Sequence, residues 1–160
     1  MTELNKTETL AHSTLGAELD ADECTALAEQ MGLKALQSGD LLVREGEQRD
    51  TLFVLAEGRL NVCKDVDGQE ETVYQMRTGE CAGTRAFIDG SERKAALCAD
   101  TDGAVLTLER TDFEALIETH PRLVYKVMRA IFRITHSNLM RMNLESAEMR
   151  NYLMKSGGRY

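Results

Sequence analysis

The chain has 160 residues, 42% of them apolar, and its 19 lysines and arginines face 27 aspartates and glutamates for a formal charge of −8. That is one domain's worth of protein with enough apolar content to bury a core, which excludes a disordered or membrane-spanning chain. A molecule this acidic repels nucleic acid and anionic lipid as a whole, so an anionic partner must meet a local basic patch.

Residues 1–18 are polar, acidic and aperiodic, which predicts a flexible N-terminal tail. Asp20 with Glu23 three residues on forms a capping box, and Leu19 before it can staple to Cys24, so a helix is expected from there to about Met31, stopped by Gly32. From Leu33 to Glu109 the pattern changes to short apolar runs: Leu41–Arg44, Leu52–Ala56, Leu60–Lys64, Thr72–Met76, Ala95–Ala99 and Ala104–Leu108. Glycine turns separate them, several of hairpin type, and short strands at regular spacing without intervening helices mean an antiparallel β barrel or sandwich. Thr111 with Glu114 reads as a second capping box for a short helix from Asp112 to about Glu118. Pro121, the only proline, then opens a helix that nothing breaks before about Met154.

That last helix is basic. Residues 121–160 carry eight lysines and arginines against two glutamates, leaving −14 on residues 1–120. Such a helix either lies against the acidic body of its own molecule or a twin, or grips an outside partner. Val124, Val127, Ile131, Ile134 and Asn138 follow 3-4 spacing, and Met142, Met149 and Leu153 continue an apolar stripe, so a homodimer through residues 121–154 is expected. The expected organisation is a tail (1–18), a β domain with flanking short helices (19–120) and a long dimerisation helix with its own tail (121–160).

Cys24, Cys63, Cys81 and Cys98 form no C-x-x-C pair, and no apolar leader occupies the first twenty residues, so reduced thiols in a cytoplasmic protein are expected. No metal or other cofactor is expected either. His12, His120 and His136 all lie outside the β region, and Asp65-Val66-Asp67-Gly68 reads as a hairpin turn rather than a calcium loop.

One segment carries most of the chemistry: Gly79-Glu80-Cys81-Ala82-Gly83-Thr84-Arg85-Ala86-Phe87, followed by Asp89-Gly90-Ser91-Glu92-Arg93-Lys94-Ala95. Its glycines allow tight turns, and a helical turn starting near Gly83 aims free N–H groups at one point. Arg93, expected at the start of the next strand with Lys94 beside it, can add a bidentate contact to a phosphate there.

With the upstream stretch Gly46-Glu47-Gln48-Arg49-Asp50-Thr51-Leu52-Phe53-Val54-Leu55-Ala56-Glu57-Gly58-Arg59-Leu60, this segment resembles the cyclic-nucleotide-binding domain family over about residues 19–142. The resemblance implies a mainly β fold: an antiparallel, jelly-roll-like β-roll with flanking helices and a long C-terminal helix. The family's phosphate cassette reads approximately G-x-x-x-G-E-x-A-L followed by R-x-A-x-V, matched here by Gly79, Gly83, Ala86, Arg93 and Ala95. Thr84 replaces the glutamate that reads the ribose hydroxyl, and loss of one charge-assisted hydrogen bond is worth roughly 1.5–3 kcal/mol. Arg85 adds a cation where the family has an apolar residue, which would suit a more anionic ligand.

The resemblance thus implies a non-enzymatic sensor that binds cyclic AMP, cyclic GMP or another phosphate ligand at Gly83, Thr84, Arg85, Ala86, Arg93, Lys94 and Ala95. It places Asn138 near the base, where its amide can pair with an adenine edge or, at a helix seam, set register. Occupancy would reach a regulatory protein partner through the long helix. No helix-turn-helix follows that helix, so direct DNA binding is not expected. The alternative is a degenerate, homodimeric interaction module in which Arg85 or Arg93 is tied to a carboxylate such as Glu80 or Asp89.

Overall fold

The computed structural model describes residues 4–157. The expected tail contains a helix, α1 (Lys6–Ala11), whose N-cap Asn5 accepts a hydrogen bond from the Glu8 N–H at 3.2 Å. Leu10 and Leu15 behind it are fully buried. Two leucines among polar residues show no period, yet they reach the same core as Leu27, Phe87 and Leu123, and that contact orders the segment. The parts of the expected tails at 1–3 and 158–160 lie outside the described residues. Helix α2 (Ala21–Glu29) starts on the anticipated capping box, with Asp20 and Glu23 each accepting from the other's backbone N–H.

Eight antiparallel strands form the β-roll as two four-stranded sheets. They are β1 (Gly32–Leu36), β2 (Leu41–Val43), β3 (Leu52–Glu57), β4 (Leu60–Val66), β5 (Gln69–Met76), β6 (Cys81–Ala82), β7 (Ala96–Ala99) and β8 (Gly103–Leu108). One sheet has the order β1-β8-β3-β6 and the other β2-β7-β4-β5. β1 and β6 are additions to the sequence expectation: β1 is exposed at every residue but Leu36, and β6 is only two residues long. The run Leu52–Ala56 is buried throughout because β3 is covered on both faces. Leu52 and Val54 face a core shared with the helices, while Phe53 and Leu55 face the interior of the roll with Leu36, Leu60, Met76 and Leu97. The β4–β5 hairpin turns on Asp67 and Gly68, both at positive φ, and Asp65 Oδ1 accepts from the Gly68 N–H at 2.8 Å.

Helix α3 (Thr84–Asp89) interrupts the strands between β6 and β7, and α4 (Arg110–Glu114), α5 (Leu116–Thr119) and α6 (Pro121–Gly157) follow the roll. The Thr111–Glu114 capping box does not form. Helix α4 begins two residues earlier, with Glu109 as its N-cap, and Glu114 instead faces the Arg110 guanidinium at 3.6 Å. Thr111 thus lies inside the first turn, where it cannot cap, and the helical region splits into two short pieces.

Helix α6 has 37 residues and a length of about 55 Å. Leu123, Val127, Ala130 and Ile131 are buried in the helical core, so this part of the expected dimer stripe packs within its own molecule. Basic residues hold it there: Lys126 Nζ is 2.6 Å from Glu23, and Arg129 and Arg133 reach Glu18 at 3.2 and 2.5 Å. The basic helix therefore lies on the acidic body of its own chain over its first half, and residues beyond Ile134 are almost all exposed.

Candidate functional site

The β6–α3 turn positions the cassette. Gly83 is the N-cap of α3 with φ of 84°, a left-handed conformation that an L side chain adopts only with strain. A Cβ at this position would collide with the Arg93 Nη1 and approach the Thr51 carbonyl oxygen at 3.0 Å. Glycine is required here for two reasons, backbone conformation and the guanidinium packed beneath it.

Arg93 is the central residue of the site. It precedes β7 rather than opening it, because Lys94 and Ala95 form a bend before the strand starts at Ala96. Its side chain is 95% buried, and Nη2 donates to the Thr51 carbonyl. Nε has no hydrogen-bond partner, which leaves an orphaned buried donor on a cation. The guanidinium lies 5.5 Å from the Phe53 ring centroid, with Arg49 at 5.4 Å from the same ring. Burial pulls the Arg93 pKa below its ordinary value, with the Arg49 charge adding to the effect and Glu47, Asp50 and Glu109 opposing it. The Glu109 carboxylate also accepts the Thr51 hydroxyl at 2.9 Å, fixing the strand end that holds Arg93.

The remaining expected site residues divide into two groups. Thr84, half-buried, and Ala86, buried, sit on α3 beside Gly83, and Ala95 lies half-buried just after Arg93. Arg85 points to solvent, with Nε 3.5 Å from Asp89, and exposed Lys94 reaches Glu92 at 3.9 Å, so both stand outside the buried cluster. Among the two carboxylates named for an internal tie, Asp89 takes Arg85, whereas Glu80 accepts from Tyr74 Oη at 2.7 Å. A hydrogen bond from the Ser91 N–H at 2.8 Å, with Arg85 beside it, holds the Asp89 pKa below its ordinary value.

Helix α6 passes over the mouth of the roll on two anchors. Thr135 donates to the Thr84 hydroxyl at 3.3 Å, and the Arg141 guanidinium lies 4.0 Å from the Tyr74 ring centroid. Asn138 stands three residues from each anchor, hence on the same helical face between them, and its side chain is exposed. The threonine that replaces the expected glutamate thus ties the cassette to the long helix, a role that only the tertiary contact reveals.

A second cluster has no sequence signature. Cys63 on β4, Glu70 on β5 and Cys98 on β7 bring two sulfurs and a carboxylate oxygen within 4.8 Å of one another. Burial, the adjacent Glu70 carboxylate and Cys63 push the Cys98 thiol up to about 12. The two cysteines are 35 residues apart in sequence, and no ligand spacing announces them.

Comparison with known proteins agrees with this geometry. The chain is similar to human cGMP-dependent protein kinase 2, with 30% identity over 108 residues that cover 66% of this chain and 14% of the kinase. It therefore spans only a small part of the curated relatives it matches. Among solved structures it resembles the N-terminal domain of a transcriptional regulator from Streptomyces coelicolor A3(2), with a TM-score of 0.73 and 27% identity over 84% of this chain and 94% of that one. It also resembles the regulatory domain of Toxoplasma gondii PKA, solved with cAMP, with a TM-score of 0.62 and 26% identity over 69% of this chain and 42% of that one. A profile for the cyclic nucleotide-binding domain matches residues 33–120, more than half of the sequence, and the chain belongs to that family.

Proposed function

We propose that this chain is a non-catalytic sensor module that binds a cyclic nucleotide in its β-roll cassette and passes occupancy to a partner through α6. The observation that carries this reading is Arg93: a buried guanidinium with an unpaired Nε, packed under the left-handed Gly83. An orphaned buried cation is costly unless an anion completes it. The kinase relative named for cGMP and the PKA domain solved with cAMP support the ligand class. Gly83, Thr84, Ala86 and Ala95 form the wall around that cation, Arg85 and Lys94 supply the rim, and Asn138 faces the base from α6. Because Thr84 is bonded to Thr135, a ligand that engages Thr84 shifts the helix. The setting this reading fits is cytoplasmic, and no described helix is long and apolar enough to cross a membrane.

Calorimetry with cAMP and cGMP tests the proposal. Wild type binds one of them, Arg93→Ala binds neither, and Thr84→Glu binds about tenfold more tightly by restoring a charge-assisted hydrogen bond. Silence of folded wild type toward both at millimolar ligand overturns it. A second reading, a degenerate homodimeric interaction module, is favoured by the internal ties of Arg93 to the Thr51 carbonyl and of Arg85 to Asp89. Under that reading Thr84→Glu is as silent as wild type.

A further inference from the structure

The Cys63–Glu70–Cys98 cluster lies on the sheet β2-β7-β4-β5, with one group from each of three neighbouring strands. We propose that these three side chains form a site for a borderline-soft divalent cation, Zn²⁺ by preference. Two thiolates and one carboxylate match the ligand types of zinc, their atoms within 4.8 Å of one another are close enough to share one ion, and hard cations such as Mg²⁺ disfavour sulfur. Cys63 and Glu70 also line a depression of about 240 Å³ with Glu45, Lys64 and Asp65, which provides an entry path and room for a bound water. Thr72 Oγ1, 3.6 Å from Cys63 Sγ, orients that ligand as an outer layer does in a metal site. Within the trio, Cys98 Sγ lies 3.5 Å from Glu70 Oε1.

Strand register argues against the obvious rival, a disulfide. Cys63 pairs with Ala96 and Asn61 with Cys98, so the two cysteines are diagonal neighbours, two residues out of register. Diagonal Cα atoms stand about 7–8 Å apart, and a disulfide requires roughly 4.4–6.8 Å. A metal between the sulfurs spans that gap without moving the strands. On binding, each thiol loses its proton to solvent and two sulfur–metal bonds form with no change of oxidation state. The product is a clamp across β5, β4 and β7, and β7 is the strand that leads out of Arg93.

Cd²⁺ and Zn²⁺ added to the reduced full chain test the site. Thiolate-to-metal charge-transfer absorption is expected to saturate at one Cd²⁺ per chain, to be displaced by Zn²⁺, and to vanish in Cys63→Ser and in Cys98→Ser while persisting in Cys24→Ser. Zn²⁺ should raise the Tm of wild type and of Cys24→Ser but not of Cys98→Ser. Glu70 is exposed on its strand, so Glu70→Gln folds and reports on the carboxylate alone, with Zn²⁺ affinity lower by about tenfold or more. Absence of the band from reduced, folded wild type, its survival in Cys98→Ser, or unchanged affinity in Glu70→Gln overturns the three-ligand site.

Discussion

Gly83 shows how one residue couples backbone geometry to the site. Its φ of 84° and the Arg93 guanidinium beneath it leave no space for a methyl group. Gly83→Ala is therefore expected to destabilise the fold by about 1–3 kcal/mol, read as a lower urea midpoint at unchanged slope. The same substitution displaces the Arg93 guanidinium, so under the proposed function it is expected to abolish cyclic-nucleotide binding in calorimetry even where the protein stays folded. The pair was half legible beforehand. The family resemblance singled out Gly83 and Arg93 together, but the sequence held no sign that Arg93 would be buried against Phe53 and the Thr51 carbonyl. Burial depends on which strands close over a side chain, and those strands are separated from Arg93 by about 40 residues.

At the scale of the element, α2 and α6 are joined through Glu23. Its carboxylate accepts the Asp20 N–H and meets Lys126, and the backbone hydrogen bond, then the lysine, hold its pKa below the ordinary 4.5. A carboxylate with a depressed folded value stabilises the fold above its unfolded pKa and loses that contribution as pH falls through the folded value. Glu23→Gln keeps the cap geometry and removes the charge. The variant is expected to be less stable than wild type at pH 7 by roughly 0.5–1 kcal/mol, with denaturation curves that converge as pH drops below 4.5. The capping box was legible because it is local, two residues three apart. The box expected at Thr111 and Glu114 failed because the helix already starts at Arg110, which puts Thr111 inside the first turn, where it cannot act as the N-cap. Helix α1 was missed for the opposite reason, since its ordering comes from Leu10 and Leu15 meeting distant residues.

For the whole molecule, the second half of α6 presents a stripe that its own chain does not cover. Leu139, Met142, Met149 and Leu153 are each more than half exposed, and Met142, Met149 and Leu153 form an apolar patch flanked by Glu145 and Arg150. A face of this kind along a helix suits a second copy of the same helix. Sedimentation is expected to give a concentration-dependent dimer, and Met142→Glu with Met149→Glu to give a monomer that still folds, because neither residue touches the core. A wild-type monomer at high micromolar concentration counts against the seam. Asn138 stands at the start of this stripe and between the Thr135 and Arg141 anchors.

The sequence by itself determined helices α2 and α6, six of the antiparallel strands and the glycine turns between them, because hydrophobic period, hairpin turns and caps are read from residues close together in the chain. The resemblance to the family supplied the β-roll class. The sequence left open whether the basic helix meets its own acidic body, a twin or an outside partner. Tertiary structure alone decided that this helix meets Glu18 and Glu23 of its own chain, that Arg93 sits inward with an unpaired nitrogen, and that Thr84 bonds the long helix. It alone brought Cys63, Glu70 and Cys98 together. These contacts join positions far apart along the chain, and only the register of antiparallel strands and the docking of α6 fix which of them meet.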